Sequence, residues 1–518
     1  MRLRCAGTTP VTIHPPPDLT GRPDLRQAPL VAAGGQPVTV VHVTAEYFPY
    51  ARTGGLAEAV SGLAAFQQAA GLDVAAILPL YRTVRDINPD LEPVGPPFLV
   101  PVGPRNEEAR IFRVAGKASG PQVYFVEHRE FFNRPGIYGE NAIDYPDNFR
   151  RFAFFVLASL TALPRLVSGP LLLHAHDWHT ALLPVYLRTT FAGERFAQTA
   201  STVLSVHNPG YQGHFPPEVV PEIGLPWSVY NWHQLEWYGK LNFLKGGLVF
   251  TDFTTTVSPT QARELRTPGG GFGLHEVFLE LGNRLVGVLN GIDRHLWNPA
   301  DDPQITAPYS AEQLEGKKKC KAALQRSFGL PQRRRTPLFG MTGRLVTQKG
   351  LDLILEARRL LSSGAQFVFL GTGEQRYEQA LVDLASAAPD QIAVQLDFSD
   401  HLEHRLMAGA DIFLMPSLYE PCGLTQMRAQ RYGSPPIVRN VGGLADTVDD
   451  GLTGFSFEAY TPSAFEEAGF RAVECYENTA QWTAMMRRGM ARDFSWERSV
   501  ATYIDVYRRA LVWSGSAR

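Results

Sequence analysis

The chain has 518 residues, of which 49 are basic and 51 acidic, so its formal net charge is −2. This balance excludes the strongly basic surface of a nucleic-acid-binding protein. Hydrophobic residues make up 44% of the chain and charged residues 19%, which is typical of globular proteins, and the length predicts two domains with large cores.

Cysteine usage and apolar runs bear on the compartment. The cysteines, which show neither metal-ligand spacing nor a disulfide framework, favour a reducing cytoplasm; they are Cys5, Cys320, Cys422 and Cys475. The longest apolar run, residues 152–163, is well short of the roughly 20 residues of a membrane span and predicts a buried helix without a membrane partner. Residues 1–36 lack the apolar segment of a secretory signal and are predicted to be a mobile extension.

The first predicted strand, residues 38–44, is a β-branched run that suits a buried parallel strand. A glycine-containing loop follows, and residues 57–70 are predicted to form a helix; the loop contains Glu46, Arg52, Gly54 and Gly55. This order is typical of a phosphate-facing site, but the spacing differs from G-x-G-x-x-G and disfavours NAD or FAD. Arg52 is either a forked phosphate ligand or a solvated loop cation, and this segment alone does not decide between them.

Strands and helices then alternate, which indicates parallel βαβ units. Predicted strands cover residues 74–78, 123–126, 171–174, 202–206, 253–257 and 284–289, and predicted helices cover residues 148–163, 180–191 and 241–249, with another opening at Ser258-Pro259. Polar clusters follow two of these strands, at residues 174–179 (HAHDWH) and 207–213 (HNPGYQG). Since the carboxyl ends of parallel strands share one edge of a sheet, these clusters predict a cleft.

Three histidines within six residues raise the question of a zinc site. His174 and His176 end a strand whereas His179 begins a helix, and the sequence offers no second ligand cluster of matching spacing, so a metal is disfavoured. Asp177 is suited to cap the helix that follows. His207 is either a satisfied core histidine or a cleft residue, and the residues alone leave both interpretations open.

The two halves of the chain are separated by a turn-rich span. A glycine loop at residues 267–273 (TPGGGFG) is predicted to be a mobile lid or substrate loop. The last strand of the first half runs into Asn290 and then into the Pro- and Asp-rich residues 297–308, where we place the domain boundary.

The second half restarts the alternation. Predicted strands cover residues 338–342, 367–370, 392–396, 412–415 and 436–438, and predicted helices cover residues 351–361, 377–387, 402–408 and 424–432. Between the first of these strands and its helix lie Arg344 and Lys349, two cations suited to a diphosphate, with a solvated loop as the alternative. Residues 494–513 are predicted to form an amphipathic helix with Trp496, Tyr503 and Tyr507 among its apolar positions.

Residues 411–448 contain the most specific pattern of the chain. A buried strand leads through Glu420 into a helix whose unpaired N–H groups and positive dipole end suit an anion, most plainly a phosphate. The Glu420 carboxylate is placed to accept sugar hydroxyl protons or to balance a developing positive charge. A Gly442-Gly443 pair follows the next strand and again precedes a helix, where the backbone can approach a ligand.

Together these motifs resemble the bacterial glycogen synthases and plant starch synthases, retaining glucosyltransferases of family five, over residues 38–507. The residues that carry the resemblance are 52–56 (RTGGL), 174–179 (HAHDWH), 207–208 and 211–213 (HN, YQG), 290–293 (NGID), 343–350 (GRLVTQKG), 416–424 (PSLYEPCGL) and 442–448 (GGLADTV). The resemblance implies an α/β GT-B fold, two Rossmann-like domains with the active site between them. It also implies transfer of glucose from ADP-glucose to the non-reducing end of an α-1,4-glucan such as glycogen.

On this resemblance we predict the domain organisation, which is a mobile extension over residues 1–36, a first Rossmann-like domain over 37–296, a linker over 297–310, a second over 311–490, and a final helix over 491–518 that crosses back to the first domain. The implied catalytic residues are Asp177, His207, Arg344, Lys349 and Glu420. The implied donor-binding residues are Arg52, Gly54, Gly55, Asn208, Asn290, Cys422, Gly423, Leu424 and Thr425. Tyr138 and Glu46 are the implied acceptor or sugar contacts. No metal or other cofactor is expected, because protein cations would hold the diphosphate.

Two positions depart from related patterns. The family usually has Lys where this chain has Arg52, and the two cations are not interchangeable against a phosphate or sugar, so UDP-glucose or another nucleotide sugar stays open as the donor. Family-four glycosyltransferases carry a second Glu at the position of Arg428, so family five fits better. A binding-only paralogue would be expected to lose Arg344, Lys349 or Glu420, and the chain has all three.

Overall fold

The computed structural model describes residues 29–32, 34–87, 90–116, 120–140, 143–397 and 399–516, which form two α/β domains. Most of the predicted mobile extension, residues 1–28, and with it Cys5, lies outside the described residues. Within these ranges no helix is long and apolar enough to cross a membrane.

The first domain is built on a ten-stranded sheet. Its strands, with those of two small sheets, are β1 Thr39–Val43, β2 Asp73–Pro79, β3 Leu91–Pro93, β4 Phe98–Val102, β5 Arg105–Val114, β6 Gln122–Glu127, β7 Gly139–Glu140, β8 Ile143–Asp144, β9 Leu171–His176, β10 Ser201–Val206, β11 His214–Phe215, β12 Glu236–Trp237, β13 Lys240–Asn242, β14 Phe253–Thr256 and β15 Leu285–Gly287. The order in the large sheet is β15-β14-β10-β9-β1-β2-β6-β5-β3, with β4 paired to β5. The strands from β15 to β6 run parallel, whereas β3, β4 and β5 form an antiparallel edge that the sequence pattern did not predict.

Helices cover both faces of this sheet. They are α1 Gly55–Ala69, α2 Arg82–Ile87, α3 Arg129–Phe132, α4 Asn148–Leu166, α5 Asp177–Thr180, α6 Leu182–Arg188, α7 Arg195–Thr199, α8 Val219–Glu222, α9 Phe243–Phe250, α10 Pro259–Glu264 and α11 His275–Glu280. The predicted helix over residues 241–249 begins later, because Asn242 ends β13 and caps α9 by accepting a hydrogen bond from the Lys245 N–H at 2.9 Å.

The second domain contains a six-stranded, wholly parallel sheet. Its strands are β16 Leu338–Thr342, β17 Gln366–Leu370, β18 Ile392–Gln395, β19 Ile412–Met415, β20 Pro436–Arg439 and β21 Phe455–Phe457, in the order β18-β17-β16-β19-β20-β21. The helices are α12 Glu315–Ser327, α13 Leu351–Glu356, α14 Arg358–Leu361, α15 Gln375–Ala387, α16 Asp400–Gly409, α17 Thr425–Arg431, α18 Gly442–Thr447, α19 Pro462–Glu477 and α20 Thr479–Ala491. The single helix predicted over residues 351–361 is interrupted at Ala357, whose ψ of 58° leaves the helical region.

The last helix, α21 Trp496–Ser516, packs on the first domain. Trp496, Tyr503 and Tyr507 are buried in the hydrophobic core of that domain. A Cβ on Gly62 of α1 would lie 2.6 Å from the Trp496 ring, so only glycine permits this close approach of the two helices.

The segment between the domains is not the low-contact linker that its composition suggested. Trp297 and Tyr309 are buried in the core of the second domain, and the Tyr309 hydroxyl donates a hydrogen bond to the Tyr432 carbonyl at 2.8 Å. These two buried aromatic side chains therefore attach the polar span to the second domain.

Candidate functional site

Each sheet has one point where the strand order reverses. In the first domain the reversal lies between β1 and β9, and in the second it lies between β16 and β19. Loops at the carboxyl ends of the strands that flank such a point enclose a crevice. The predicted site residues that follow β1, β9, β10, β16 and β19 therefore lie around two crevices.

Tyr419 joins the two crevices into one cleft. Its hydroxyl is hydrogen-bonded to the Asn208 side chain, and a Cβ on Gly210 would lie 3.2 Å from that hydroxyl. Phe272, in the predicted lid loop, packs edge-on against the Tyr419 ring with the centroids 5.2 Å apart. Since Asn208 is adjacent to His207 and Tyr419 is adjacent to Glu420, predicted catalytic residues of both domains line opposite walls of the cleft.

Lys349 and Glu420 form an ion pair at the second reversal point. The Lys349 Nζ lies 2.5 Å from the Glu420 Oε2, and the Ser417 hydroxyl donates to the same oxygen at 3.1 Å. The Glu420 side chain is 8% exposed and that of Lys349 21%, so the pair lies at the cleft wall with the cation more accessible. Among the residues that the structure describes, no hydrogen bond is made to the second carboxylate oxygen of Glu420, which can therefore accept from a ligand hydroxyl.

Glycines behind Glu420 fix the position of its loop. Gly442 has a φ of +45°, and a Cβ there would lie 2.0 Å from the Glu420 carbonyl oxygen. The Gly443 N–H donates to that carbonyl at 3.0 Å. The predicted close backbone approach at Gly442-Gly443 therefore exists, but it is made to the Glu420 loop of the same domain.

Arg344 is exposed on the loop that follows β16. In the part of the chain that the structure describes it forms no ion pair, and its positive charge lowers the pKa of the Tyr419 hydroxyl, which burial raises more strongly. Arg344 and Lys349 thus place two positive charges on one loop beside Glu420. A diphosphate is the ligand chemistry that this pair of charges matches.

The backbone from Cys422 to Thr425 forms the start of α17. The Gln426 side-chain amide donates to the Cys422 carbonyl at 3.0 Å and to the Gly423 carbonyl at 2.9 Å, while Gly423 has a φ of +71°. Burial raises the pKa of the Cys422 thiol to about 12, and the Asn290 backbone hydrogen-bonds to it across the domain boundary. The Cys422 side chain is therefore a neutral packing group, and Leu424 precedes the helix that Thr425 begins without a side-chain capping hydrogen bond.

Glu46 organises the loop that follows β1. Its carboxylate accepts hydrogen bonds from the Thr53 N–H at 2.7 Å, the Thr53 hydroxyl at 2.6 Å and the Gly54 N–H at 3.3 Å. The Tyr138 hydroxyl donates to it at 2.7 Å, and burial together with the Glu46 charge raises the pKa of Tyr138. Glu46 and Tyr138 thus support the loop that contains Gly54 and Gly55. Sugar contact by either residue stays a prediction.

The loop that contains Gly54 and Gly55 is open to the cleft on one side. A Cβ built on Gly54 or Gly55 would have no described atom within 4 Å, so a ligand can approach this backbone. Arg52, in contrast, is engaged: its guanidinium forms ion pairs with Glu58 at 3.0 Å and with Asp400 of the second domain at 3.3 Å. Its predicted donor contact stays a prediction, and the structure adds a role in joining the domains.

Asp177 follows β9 with a left-handed backbone, φ +55°. Its carboxylate accepts hydrogen bonds from the His207 N–H at 2.7 Å and the Asn208 N–H at 3.2 Å. Burial raises the pKa of Asp177 to about 7, although these two hydrogen bonds oppose the shift. Asp177 begins α5, but its side chain fastens the loop after β10 and does not cap its own helix.

The histidines are more clustered than their sequence spacing indicated. His42 on β1 joins His174 and His176, with one ligand-capable atom from each residue lying within 4.8 Å of the others. His42 was not predicted, because it lies more than 130 residues away in the sequence. Every ring nitrogen of the three residues is already hydrogen-bonded within the protein, so the cluster is satisfied without a metal.

Arg428 is a buried residue of the cleft region that the sequence analysis used only as a contrast. Its guanidinium stacks over the Trp297 ring at 4.1 Å and donates to Glu403 at 3.2 Å and to Glu58 of the first domain. Its opposite charges come from α1 and α16, whereas Arg428 itself lies on α17, so no local pattern could have revealed the cluster.

We expect Arg428→Met to lower the melting temperature by several degrees, because removing one partner of a buried ion pair costs about 3–5 kcal/mol. Differential scanning calorimetry measures the shift. The matched control is Arg471→Met, which removes an arginine from an ion pair with Asp450 whose side chains are 44% and 46% exposed. Equal shifts in the two variants would contradict a special role for the Arg428 cluster.

The two domains match two different family models. Residues 39–280 match the family described as "Starch synthase catalytic domain", and residues 325–488 match "Glycosyl transferases group 1". The chain is 43% identical to a glycogen synthase of Syntrophotalea carbinolica over 92% of this chain and 99% of the relative. It is 45% identical to a glycogen synthase of Anaeromyxobacter sp. over 90% of this chain and 98% of the relative.

Comparison with solved structures also finds a starch synthase among the similar proteins. The catalytic domain of starch synthase IV from Arabidopsis thaliana, bound to ADP and acarbose, is similar with a TM-score of 0.83 and 34% identity over 92% of this chain and 99% of that chain. Sucrose-phosphate synthase from Thermosynechococcus elongatus has a TM-score of 0.59 at 17% identity over 91% of this chain and 98% of that chain, which shows similarity of fold alone.

Proposed function

Because the chain belongs to the glycogen and starch synthase family of glucosyltransferases, we propose that it transfers glucose from ADP-glucose to the non-reducing end of an α-1,4-glucan such as glycogen. The membership confirms the predicted family, the GT-B fold and the enzyme class. The choice of ADP-glucose is supported by the structure of starch synthase IV, which holds ADP.

One observation carries the proposal. The Lys349–Glu420 pair and the exposed Arg344 stand on one wall of the cleft, and the Asp177-fastened loop with His207 stands on the other. The first set has the charge to bind a diphosphate and the oxygen to accept from a sugar hydroxyl. The second set lies where the transferred sugar and the acceptor would meet.

The proposed reaction follows from these charges. As the bond between the glucose C1 and the β-phosphate oxygen breaks, negative charge grows on the leaving ADP, where Arg344 and Lys349 stabilise it. The acceptor hydroxyl forms the new bond to C1 and gives its proton to the leaving phosphate oxygen on the same face, which retains the configuration. Glu420 orients the glucose through its hydroxyls, and we propose that no metal takes part.

Arg52 favours a second candidate, the same transfer from a different nucleotide sugar. Its guanidinium is shared between Glu58 and Asp400, so its charge is partly neutralised before any donor binds. A donor whose binding depends on a free cation at this position would be accepted less well.

The test is release of nucleoside diphosphate from ADP-glucose and separately from UDP-glucose, with and without glycogen, in the presence and absence of EDTA. Glycogen-dependent ADP release that EDTA leaves unchanged is the expected result. Preferred turnover of UDP-glucose would replace the donor assignment, and dependence on added metal would overturn the metal-free reaction. No turnover of either donor would contradict the proposed function.

Arg52 allows a separate prediction about donor affinity. We expect Arg52→Ala to raise the KM for ADP-glucose about tenfold, the equivalent of one modest charge contact, while kcat changes less. Asp400→Asn is the matched control, since it removes the interdomain ion pair but keeps the arginine. If Asp400→Asn raises the KM as much as Arg52→Ala does, Arg52 acts as a domain link and does not contact the donor.

A further inference from the structure

A continuous chain of hydrogen bonds leads from His207 into the interior of the first domain. The His207 Nε2 lies 3.0 Å from the His176 Nδ1, and the His176 Nε2 lies 3.0 Å from the His42 Nδ1. The His42 Nε2 lies 2.8 Å from the Gln67 Oε1. These three contacts join the loop after β10 to β9, β1 and helix α1.

The chain continues beyond Gln67 through the C-terminal helix. The Gln67 Nε2 donates to the Tyr507 hydroxyl at 2.8 Å, and that hydroxyl lies 2.8 Å from the His174 Nδ1. The His174 Nε2 in turn lies 2.7 Å from the Ser205 hydroxyl. Gln67, His42, His174 and His176 are all 0% exposed, so within the described protein these bonds are made to protein groups.

The four histidines in this series of hydrogen bonds are neutral. Burial lowers the pKa of His42 to about 4 and that of His207 to about 3, and it holds the pKa values of His174 and His176 well below the usual range. A neutral imidazole has one N–H donor and one acceptor nitrogen. A histidine with both nitrogens hydrogen-bonded must therefore donate on one side and accept on the other.

This rule makes the direction of every bond depend on one amide. With the Gln67 nitrogen donating to Tyr507, the Gln67 oxygen accepts from the His42 Nε2–H. The His42 Nδ1 must then accept from the His176 Nε2–H, and the His176 Nδ1 must accept from the His207 Nε2–H. A half-turn of the Gln67 amide would reverse the entire sequence and move the His207 proton to Nδ1.

We propose that Gln67 is a positioning residue that holds His207 as the Nε2–H tautomer, so that the His207 Nδ1 presents a lone pair to the sugar in the cleft. In the described part of the protein the His207 Nδ1 forms no hydrogen bond, which leaves it for a ligand hydroxyl. The Tyr507 hydroxyl accepts from the Gln67 amide nitrogen, which links the C-terminal helix to the site. The inference deepens the proposed function and rests on it for the sugar, but the tautomer itself does not depend on any substrate.

The experiment is nitrogen NMR of the full chain with ring-¹⁵N-labelled histidine, combined with steady-state kinetics on ADP-glucose and glycogen. The His207 signals are assigned by their loss in His207→Ala. In the unmodified protein we expect a protonated Nε2 and an unprotonated Nδ1. In Gln67→Met we expect a mixture of tautomers and a kcat about tenfold lower, the rate equivalent of one hydrogen bond, with the donor KM changed less than about twofold.

Two further variants keep the test decisive. Tyr507→Phe removes the acceptor of the Gln67 amide nitrogen and is expected to mix the His207 tautomers in the same way, so it substitutes for Gln67→Met if that variant does not fold. Gln366→Met is the matched control, because Gln366 is an equally buried glutamine at the amino end of β17 in the other domain. It is expected to lower stability but to leave the His207 signals and kcat unchanged.

An unchanged single tautomer in both Gln67→Met and Tyr507→Phe would overturn the proposal. A mixed tautomer with an unchanged kcat would overturn the positioning role. Failure of the proposed function is distinguishable, since it would abolish turnover in the unmodified protein while the NMR comparison between variants still reports the tautomer.

Discussion

Lys349→Ala is expected to lower kcat by about 10²- to 10³-fold, the usual cost of removing one charge that stabilises a leaving group in the transition state. The Lys349 Nζ lies 2.5 Å from the Glu420 Oε2, and the lysine is the more exposed partner, so it can reach a diphosphate in the cleft.

Glu420→Gln is expected to lower kcat to a similar extent, because a neutral amide neither balances the Lys349 charge nor accepts as strongly from sugar hydroxyls. Initial rates of ADP release measure both effects.

The matched control for Lys349→Ala is Lys321→Ala. Lys321 also forms a close ion pair, with Asp411 at 2.6 Å, in the same domain, and both side chains are largely buried. Asp411 precedes β19, so this pair lies at the sheet edge away from the cleft. Lys321→Ala is expected to lower the melting temperature while the folded protein keeps its kcat. If Lys349→Ala shows the same combination, Lys349 is structural and has no role in catalysis.

Asp177→Ala is expected to lower kcat about 10²-fold, since the His207 and Asn208 N–H groups would lose their acceptor and the loop after β10 its attachment. Asp177→Asn is the more informative variant. Asparagine tolerates the left-handed φ of +55° and keeps an oxygen for both N–H groups, but it cannot ionise. The loop is therefore expected to stay in place in Asp177→Asn, with only the charge removed.

The charge of Asp177 predicts a specific pH dependence. Because burial raises its pKa to about 7, Asp177 is neutral below that pH and ionised above it. We expect kcat/KM to rise through about pH 7 in the unmodified protein and this step to be absent in Asp177→Asn. A step retained in Asp177→Asn would assign the titration to another group.

Stability should change in the opposite direction over the same range. Between about pH 4 and pH 7 the folded protein keeps a proton on Asp177 that the unfolded chain has released, so the contribution of this group to the free energy of unfolding falls as pH rises. Asp177→Asn lacks this contribution, so the melting temperature of the unmodified protein is expected to fall relative to that of Asp177→Asn as pH rises through that window.

The sequence by itself determined the parallel strands and the loops that follow them. Residues 338–342 and 412–415 were predicted at the bounds that β16 and β19 have, because short β-branched or apolar runs between polar turns specify a buried strand locally. Arg344, Lys349 and Glu420 follow such strands, so their place at the carboxyl edge of the second sheet was predictable from chain order alone. Family motifs then gave these residues their expected roles.

Only the tertiary structure decided which distant groups meet. Arg428 contacts Glu58 across 370 residues, and His174 contacts Tyr507 across 333 residues, and neither pair leaves a periodic or spacing signal in the chain. The antiparallel edge formed by β3, β4 and β5 was missed because partly exposed strands lack a continuous apolar run. Sequence patterns report which face of a local element is buried, whereas hydrogen-bond partners and pKa shifts such as that of Asp177 depend on what folding brings against that face.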